Sequence, residues 1–283
     1  FTAPADGTYL IRVSDARGFQ GELYAYQLRI HEARPDFKVT LEGTNPTIGH
    51  GSGQGFTVKA DRIDGFEGDI RVDITGWPPG FTGTTPLVIQ AGHSEADGSL
   101  FAAADAAAPS AEVAGKIQVA ATAILGGKKV IKPVNNFGQI KVGPKPKLLI
   151  ALEPDANAST KMAAAKSSGP LWEITIAPGQ TVPAWLRVVR GDGQTNLVNL
   201  DVDNLPQGVI IDNIGLNGVQ IRAGENEREI FFNAAKWVPE TDRLCHAILN
   251  SARTGNGSAG KQTSLPILLK VRKPSANVTA SAR

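Results

Sequence analysis

The strongest constraint on this chain is a segment that occurs twice. Residues 62–81 read Arg-Ile-Asp-Gly-Phe-Glu-Gly-Asp-Ile-Arg-Val-Asp-Ile-Thr-Gly-Trp-Pro-Pro-Gly-Phe. Residues 190–209 read Arg-Gly-Asp-Gly-Gln-Thr-Asn-Leu-Val-Asn-Leu-Asp-Val-Asp-Asn-Leu-Pro-Gln-Gly-Val, without a gap and 128 residues further on. Each copy starts on an arginine, passes through an Asp-Gly turn, alternates apolar and polar residues, and ends on apolar-Pro-x-Gly-apolar. Alternation with period two is the mark of a half-buried strand. Proline removes a backbone donor where a strand leaves its sheet, and glycine takes the turn that follows. The repeat therefore predicts one β module built twice, with its prolines and glycines shaping corners.

The rest of the sequence fits two such modules. Residues 36–143 predict a first β-sandwich, with strands at 37–41, 56–60, 70–74, 87–89, 100–104 and 115–123 and a last ribbon over 128–141. Residues 148–272 predict its repeat, with strands at 148–152, 171–176, 182–190, 197–202, 209–211, 219–221, 229–233, 244–249 and 266–271. Gly-rich stretches at 45–55 and 91–99 are expected as loops. The run Gly143-Pro144-Lys145-Pro146-Lys147 is expected as a stiff, extended linker, and 273–283 as a frayed tail. At 283 residues the chain suits two to three domains, and 31 glycines with 18 prolines favour short strands and many turns.

The first 35 residues predict a partial β segment. Tyr9, Ile11 and Val13 alternate with polar neighbours, as do Tyr24, Tyr26, Leu28 and Ile30, while 15–21 reads as a loop. Two or three strands bury no face alone, so this segment calls for completion by upstream residues, the next domain or another chain. Phe1, the run Ala5-Asp6-Gly7-Thr8-Tyr9-Leu10-Ile11-Arg12-Val13, Gly21 and Tyr26-Gln27-Leu28-Arg29-Ile30 resemble the C-terminal end of the bacterial pre-peptidase C-terminal domain family. That resemblance implies a small jelly-roll-like sandwich attached to a secreted or surface protein. Seven or so short strands in about 105 residues of the first full module resemble the bacterial immunoglobulin-like class, and the tandem modules resemble planctomycete-type surface proteins. The expected fold is all-β: tandem immunoglobulin-like or fibronectin-like sandwiches preceded by a partial jelly-roll-like β domain. The opening at Phe1 rather than Met reads as a processed product or a fragment.

Composition narrows function more than it names it. A formal charge of +2 with interspersed signs gives no polyanion footprint. The lysines at 128, 129, 132, 141, 145 and 147 read as a solvated edge, where Lys discourages strand-to-strand aggregation. No apolar run is long enough for a membrane helix. The single cysteine, Cys245, excludes an internal disulfide and reads as a buried, inert thiol. Its neighbour His246 points to the opposite face of the same strand, so the two do not form a nucleophile and base. His31, His50, His93 and His246 are dispersed and show no metal spacing. The Gly-rich run Gly49-His50-Gly51-Ser52-Gly53-Gln54-Gly55 lacks the Lys-Ser/Thr and helix of a phosphate loop.

The remaining candidates are few. Trp77 and Trp237 are candidate sugar-stacking residues; Trp172 and Trp185 lie in strands, where core packing is the plainer use. Asp61, Asp64, Glu67 and Asp69 crowd one turn with hard oxygen ligands of the kind calcium takes, without the spacing of a defined calcium loop. Asp201 and Asp203 share one strand face and suit solvent. Arg190-Gly191-Asp192 is a short adhesion-like tripeptide on a turn. Asn157, Asn256 and Asn277 open glycosylation sequons. The expectation is a non-catalytic structural or adhesive module of an extracytoplasmic bacterial protein, with other domains or neighbouring subunits as partners. No nucleic acid is expected, no catalytic residues, and no cofactor apart from the calcium option. The alternative is a polysaccharide-binding accessory region of a secreted hydrolase or protease whose catalytic domain lies outside this chain.

Overall fold

A computed structural model of the chain describes residues 1–28, 30–155, 171–212, 214–215, 218–250 and 259–274. Two units separate at Phe1–Arg34 and Pro35–Arg283. In the first unit no described residue belongs to a strand, so the two alternating stretches expected to pair do not form a ladder. The physical reason is the one that made completion necessary: nothing within the segment covers its apolar face. Leu10, Ile11, Tyr26 and Leu28 are all exposed. The expected loop is present, with the Asp15 carboxylate accepting from the Arg17 and Phe19 backbone N–H groups at 2.8 and 3.2 Å.

Among its described residues the second unit is all-β apart from one helical turn. Its first half carries β1 (Asp36–Glu42), β2 (Thr47–Gly49), β3 (Ser52–Ile63), β4 (Ile70–Thr75), β5 (Phe81–Gly83), β6 (Leu87–Ile89), β7 (Glu95–Ala102), α1 (Ala111–Gly115), β8 (Gln118–Leu125), β9 (Lys128–Val134) and β10 (Lys141–Gly143). Its second half carries β11 (Leu148–Pro154), β12 (Glu173–Ile176), β13 (Thr181–Arg190), β14 (Val198–Asp203), β15 (Val209–Asp212), β16 (Val219–Ile221), β17 (Glu227–Ala234), β18 (Thr241–Leu249), β19 (Gln262–Thr263) and β20 (Ile267–Val271).

The two halves have the same pairing. β3 lies between β1 and β7, and β5 joins β7; β13 lies between β11 and β17, and β15 joins β17. In the facing sheets β4 lies between β6 and β8, and β14 lies between β16 and β18. Each half is closed by a parallel pair, β2 with β10 and β12 with β20. These are two immunoglobulin-like sandwiches, and the repeated segment occupies equivalent places in them. Two hydrophobic cores result, one around Phe37, Phe56, Ile70 and Ile74, the other around Leu186, Leu200, Phe232 and Leu269.

Several expectations shift in detail. Residues 45–55 are not a loop: β2 falls within them, and Ser52 to Gly55 extend β3. Residues 95–99 likewise belong to β7. The 143–147 linker begins inside β10 and packs back on the first sandwich, where a Cβ on Gly49 would stand 2.6 Å from Pro146. The lysine-rich ribbon is the edge strand β9, with Lys128 and Lys129 exposed and Lys132 paired to Asp36 at 2.5 Å. The three sequons and most of the expected tail lie outside the described residues.

Candidate functional site

The corner that opens each repeat is tied by its arginine. Arg62 donates through Nε to His93 O, through Nη1 to Gly68 O and through Nη2 to Gln90 O, at 2.7–2.9 Å. Arg190 does the same to Glu225 O, Asn196 O and Arg222 O, at 2.7–3.1 Å. Three carbonyls from two loops thus converge on one guanidinium, a fork whose geometry suits several acceptors at once. This strut explains why both copies begin on arginine. It also means that the Arg190 of the Arg-Gly-Asp tripeptide is engaged with its own backbone.

The closing Pro-x-Gly corners match as closely. Phe81 N donates to Pro78 O and Ala103 N to Gly80 O; Val209 N donates to Pro206 O and Ala235 N to Gly208 O. Gly80 and Gly208 both take the left-handed backbone, at φ 79° and 85°, which costs glycine little. Trp77 is half-buried against the first core, 5.7 Å from the Phe137 ring, with its indole N–H buried and unpartnered. Trp237 is 63% exposed and covers Gly208, where an added Cβ would stand 2.5 Å from the indole ring. Trp185 carries Arg187 over its ring at 5.9 Å.

The acidic turn is spread out. Asp61 lies on β3, Asp69 accepts from Ala91 N at 2.7 Å, and Glu67 is exposed. Asp64 takes a left-handed backbone at φ 47°. Among the described residues no group of three or more His, Cys, Asp or Glu side chains is placed to hold one metal ion. Cys245 is fully buried and donates to Asn204 O; burial pushes its thiol up to about 12. Asp203 stands opposite His246 in the β14–β18 register.

What the sequence did not foretell is the seam between the sandwiches. β19 pairs with β18 on one side and with β3 on the other, so one ten-stranded sheet runs from the first sandwich into the second. Gly55 N donates to Lys261 O at 2.8 Å, and Gly260 N to Gly55 O at 3.0 Å. The Ser99 and Thr263 hydroxyls lie 2.7 Å apart, and Ser99 donates on to Ser264 O; all three residues are buried. The strip passes because Gly53 has no side chain: a Cβ there would sit 2.4 Å from Thr263 Oγ1 and 2.9 Å from Ser99 Oγ. Further across the seam Gln207 N donates to Gln90 Oε1 at 3.1 Å, and Arg243 Nη1 to Val88 O at 2.8 Å. His246 is fully buried with neither ring nitrogen bonded, and burial pushes its pKa down to about 3.

Several concavities open on the seam, among them one of about 710 Å³ between Arg71, Pro86 and Val88 on one side and Asp242, Leu268 and Arg272 on the other. An apolar groove of about 550 Å³ runs past Phe101, Leu149, Trp172, Val189 and Leu265. A smaller polar cavity of about 190 Å³ is lined by Gln90, His93, Asn204, Gln207 and Arg243, among others.

No protein-family model and no curated protein matches the chain. Solved structures do. Domains 5–6 of the S-layer protein SbsC share 15% identity, covering 85% of this chain and 100% of that one, with a TM-score of 0.24. The D0-D1 domain of Intimin shares 12%, covering 82% and 97%, with a TM-score of 0.27. A Porphyromonas gingivalis W83 protein of unknown function shares 11%, covering 83% and 99%, with a TM-score of 0.28. These superpositions are loose, and the fold stands on its own strand pairing. The glycines at 49–55 serve both ends: Gly51 takes a turn at φ 66°, and Gly53 allows the close approach of β19.

Proposed function

We propose that this chain is a non-catalytic structural or adhesive element of an extracytoplasmic bacterial protein, and that its physical task is to hold two sandwiches at one fixed angle. The observation that carries this reading is the single sheet crossing the seam, backed by the buried Ser99–Thr263–Ser264 hydrogen bonds. Two modules on a free linker would exchange orientations, whereas backbone pairing across the joint fixes them. The domain reading of 36–143 and 148–272 belongs to this proposal, as does the pre-peptidase-type character of 1–35.

The joint is testable by distance. Cysteines placed at exposed Lys129 and Ile210 report on the two sandwiches. Cys245, buried and with a raised pKa, stays unlabelled. Spin labels at the two new sites should give one narrow distance distribution. A broad or multimodal distribution would show a hinged pair and sink the reading.

A polysaccharide-binding reading is favoured by one observation, the 63% exposure of Trp237 on its glycine support. Stacking on a sugar face would quench its fluorescence and protect it from oxidation. Titration with soluble glycans, with Trp237→Ala as the control, separates this reading from the spacer alone.

A further inference from the structure

The seam takes one outer face from each sandwich. Thr57 and Ser99 alternate with Phe56, Val58 and Leu100 of the first core, and Leu244 and Ile248 with Cys245 and Ala247 of the second. All four point away from their own core, and all four are buried. They lie on β3, β7 and β18. Two outer faces are left, that of sheet β6-β4-β8-β9 in the first sandwich and that of sheet β11-β13-β17-β15 in the second. Alternation ordinarily makes such a face polar. Both of these carry large apolar side chains.

On the second sandwich the outward positions hold Trp185, Phe231 and Ile210, the last 61% exposed. In register, Trp185 stands between Glu153 and Glu229, and Phe231 stands opposite Asp212. Arg187 is the basic residue of that face, and it is divided between Glu153 and Glu227 at 2.8 and 3.0 Å. Four carboxylates against one guanidinium leave the face acidic. On the first sandwich the outward positions of β8 and β9 hold Ile124 and Ile131, each 59% exposed. Lys128 and Lys129, both exposed, stand at the hairpin joining those strands, with Lys129 opposite Ile124. Arg71 and Asp73 neutralise one another at 2.7 Å, and Lys132 turns to Asp36. This face is basic.

We propose that the acidic, aromatic face of the second sandwich docks on the basic, isoleucine-bearing face of the first sandwich of another copy of this chain. Apolar side chains meet at the centre, and the lysine ammonium groups meet the carboxylates and the indole ring beside them. Each sandwich gives one face to the seam and the opposite face to this contact. One copy therefore does not offer both faces to the same neighbour, and copies add head to tail. This goes beyond the joint within one chain. Four strands about 4.8 Å apart and about 20 Å long make a face of roughly 300–400 Å². A stable complex buries about 800 Å² per partner, so a single contact is weak and sensitive to salt.

The test is sedimentation of the full chain over a concentration series reaching about 1 mM, the range a contact of this size calls for. In low salt the weight-average mass should climb past two copies, and high salt should return it to one. Lys128→Glu with Lys129→Glu should leave single copies, as should Asp212→Lys with Glu229→Lys. Each of these charge-reversed chains carries two faces of one sign. Mixed one to one, they should assemble again, which a merely misfolded chain does not do. The spin labels at Lys129 and Ile210 take one residue from each face, so the doubly labelled chain stays single and its distance reports on the joint alone. Single copies of the unaltered chain at every concentration overturn the proposal, and so does a mass that stops at two copies. So does assembly that salt and both reversals leave in place, or a mixture of the two folded variants that stays single.

Discussion

Gly53→Ala puts the seam to its hardest test. The new methyl would meet Thr263 Oγ1 at 2.4 Å, Ser99 Oγ at 2.9 Å and Thr263 O at 3.0 Å. Ordinary carbon–oxygen contact lies well beyond these values, so β19 must retreat or the Thr263 hydroxyl must rotate away. Overpacking of this kind costs about 1–3 kcal/mol. Losing the Ser99–Thr263 bond leaves a buried hydroxyl unsatisfied, for about 1–3 kcal/mol more. Alanine stiffens the unfolded chain and returns about 0.4–1 kcal/mol, since Gly53 is not in the left-handed region. The net expectation is a loss of about 2–4 kcal/mol, seen in denaturant unfolding as a lower midpoint and in hydrogen exchange as lost protection of the Gly55 amide. Thr263→Ala removes the atom that the methyl strikes. The double variant Gly53→Ala, Thr263→Ala should therefore lose less than the two single changes added together, by at least about 1 kcal/mol. Gly127→Ala is the control: its φ is 78° but nothing lies within 4 Å, so it pays backbone strain alone. If Gly53→Ala unfolds with the unaltered chain, the tight strip at β3 and β19 is not what joins the sandwiches.

Three further outcomes follow from the same geometry. Arg62→Ala and Arg190→Ala each release three carbonyls from a half-buried guanidinium, so both should cost about 1–3 kcal/mol and by similar amounts; the exposed Asp192→Ala should stay within about 0.5 kcal/mol, measured by urea unfolding. His246 stays neutral when folded, its pKa near 3 against 6.5 in the unfolded chain. Its stabilising share is complete above pH 6.5 and is lost as pH falls toward 3, because the unfolded chain takes up the proton first; the slope is about 1.4 kcal/mol per pH unit. His246→Leu should flatten the stability–pH curve by that slope between pH 6 and 4. Cys245 should resist alkylation at pH 8 in the native state and react on unfolding, since a thiol at about 12 offers almost no thiolate.

The repeated frame was legible because it is written locally. Ile70, Val72 and Ile74 alternate, as do Val198, Leu200 and Val202, and both runs fold as the middle strand of their sheet. The Pro-x-Gly corners were legible for the same reason. The seam was not, because its parts are far apart in sequence: Gly53 meets Ser99 and Thr263, and Gln90 meets Gln207. Glycine carries no label that separates a turn from a close approach, and a two-residue strand such as β19 has no periodicity to detect. The segment at residues 1–34 erred the other way: its alternation is as clear as that of β4, yet a strand also needs a neighbour to pair with.

The seam also has a direction, and the comparison of the two copies shows why. The registers place Gly53 opposite Phe101 and Gly55 opposite Ser99, while Thr181 stands opposite Asn233 and Pro183 opposite Phe231. Thr181 is thus the counterpart of Gly53, and Pro183 of Gly55. In the first sandwich that strip receives β19, with Gly55 donating its N–H to Lys261 O. In the second, Pro183 has no N–H to donate, and Thr181 brings the side chain that Gly53 must lack. The same pairing cannot be formed again on β13. Proline at an otherwise receptive edge is a common guard against unwanted strand addition. The two copies share their frame and differ where they meet, so the strip that receives β19 on β3 is not repeated on β13.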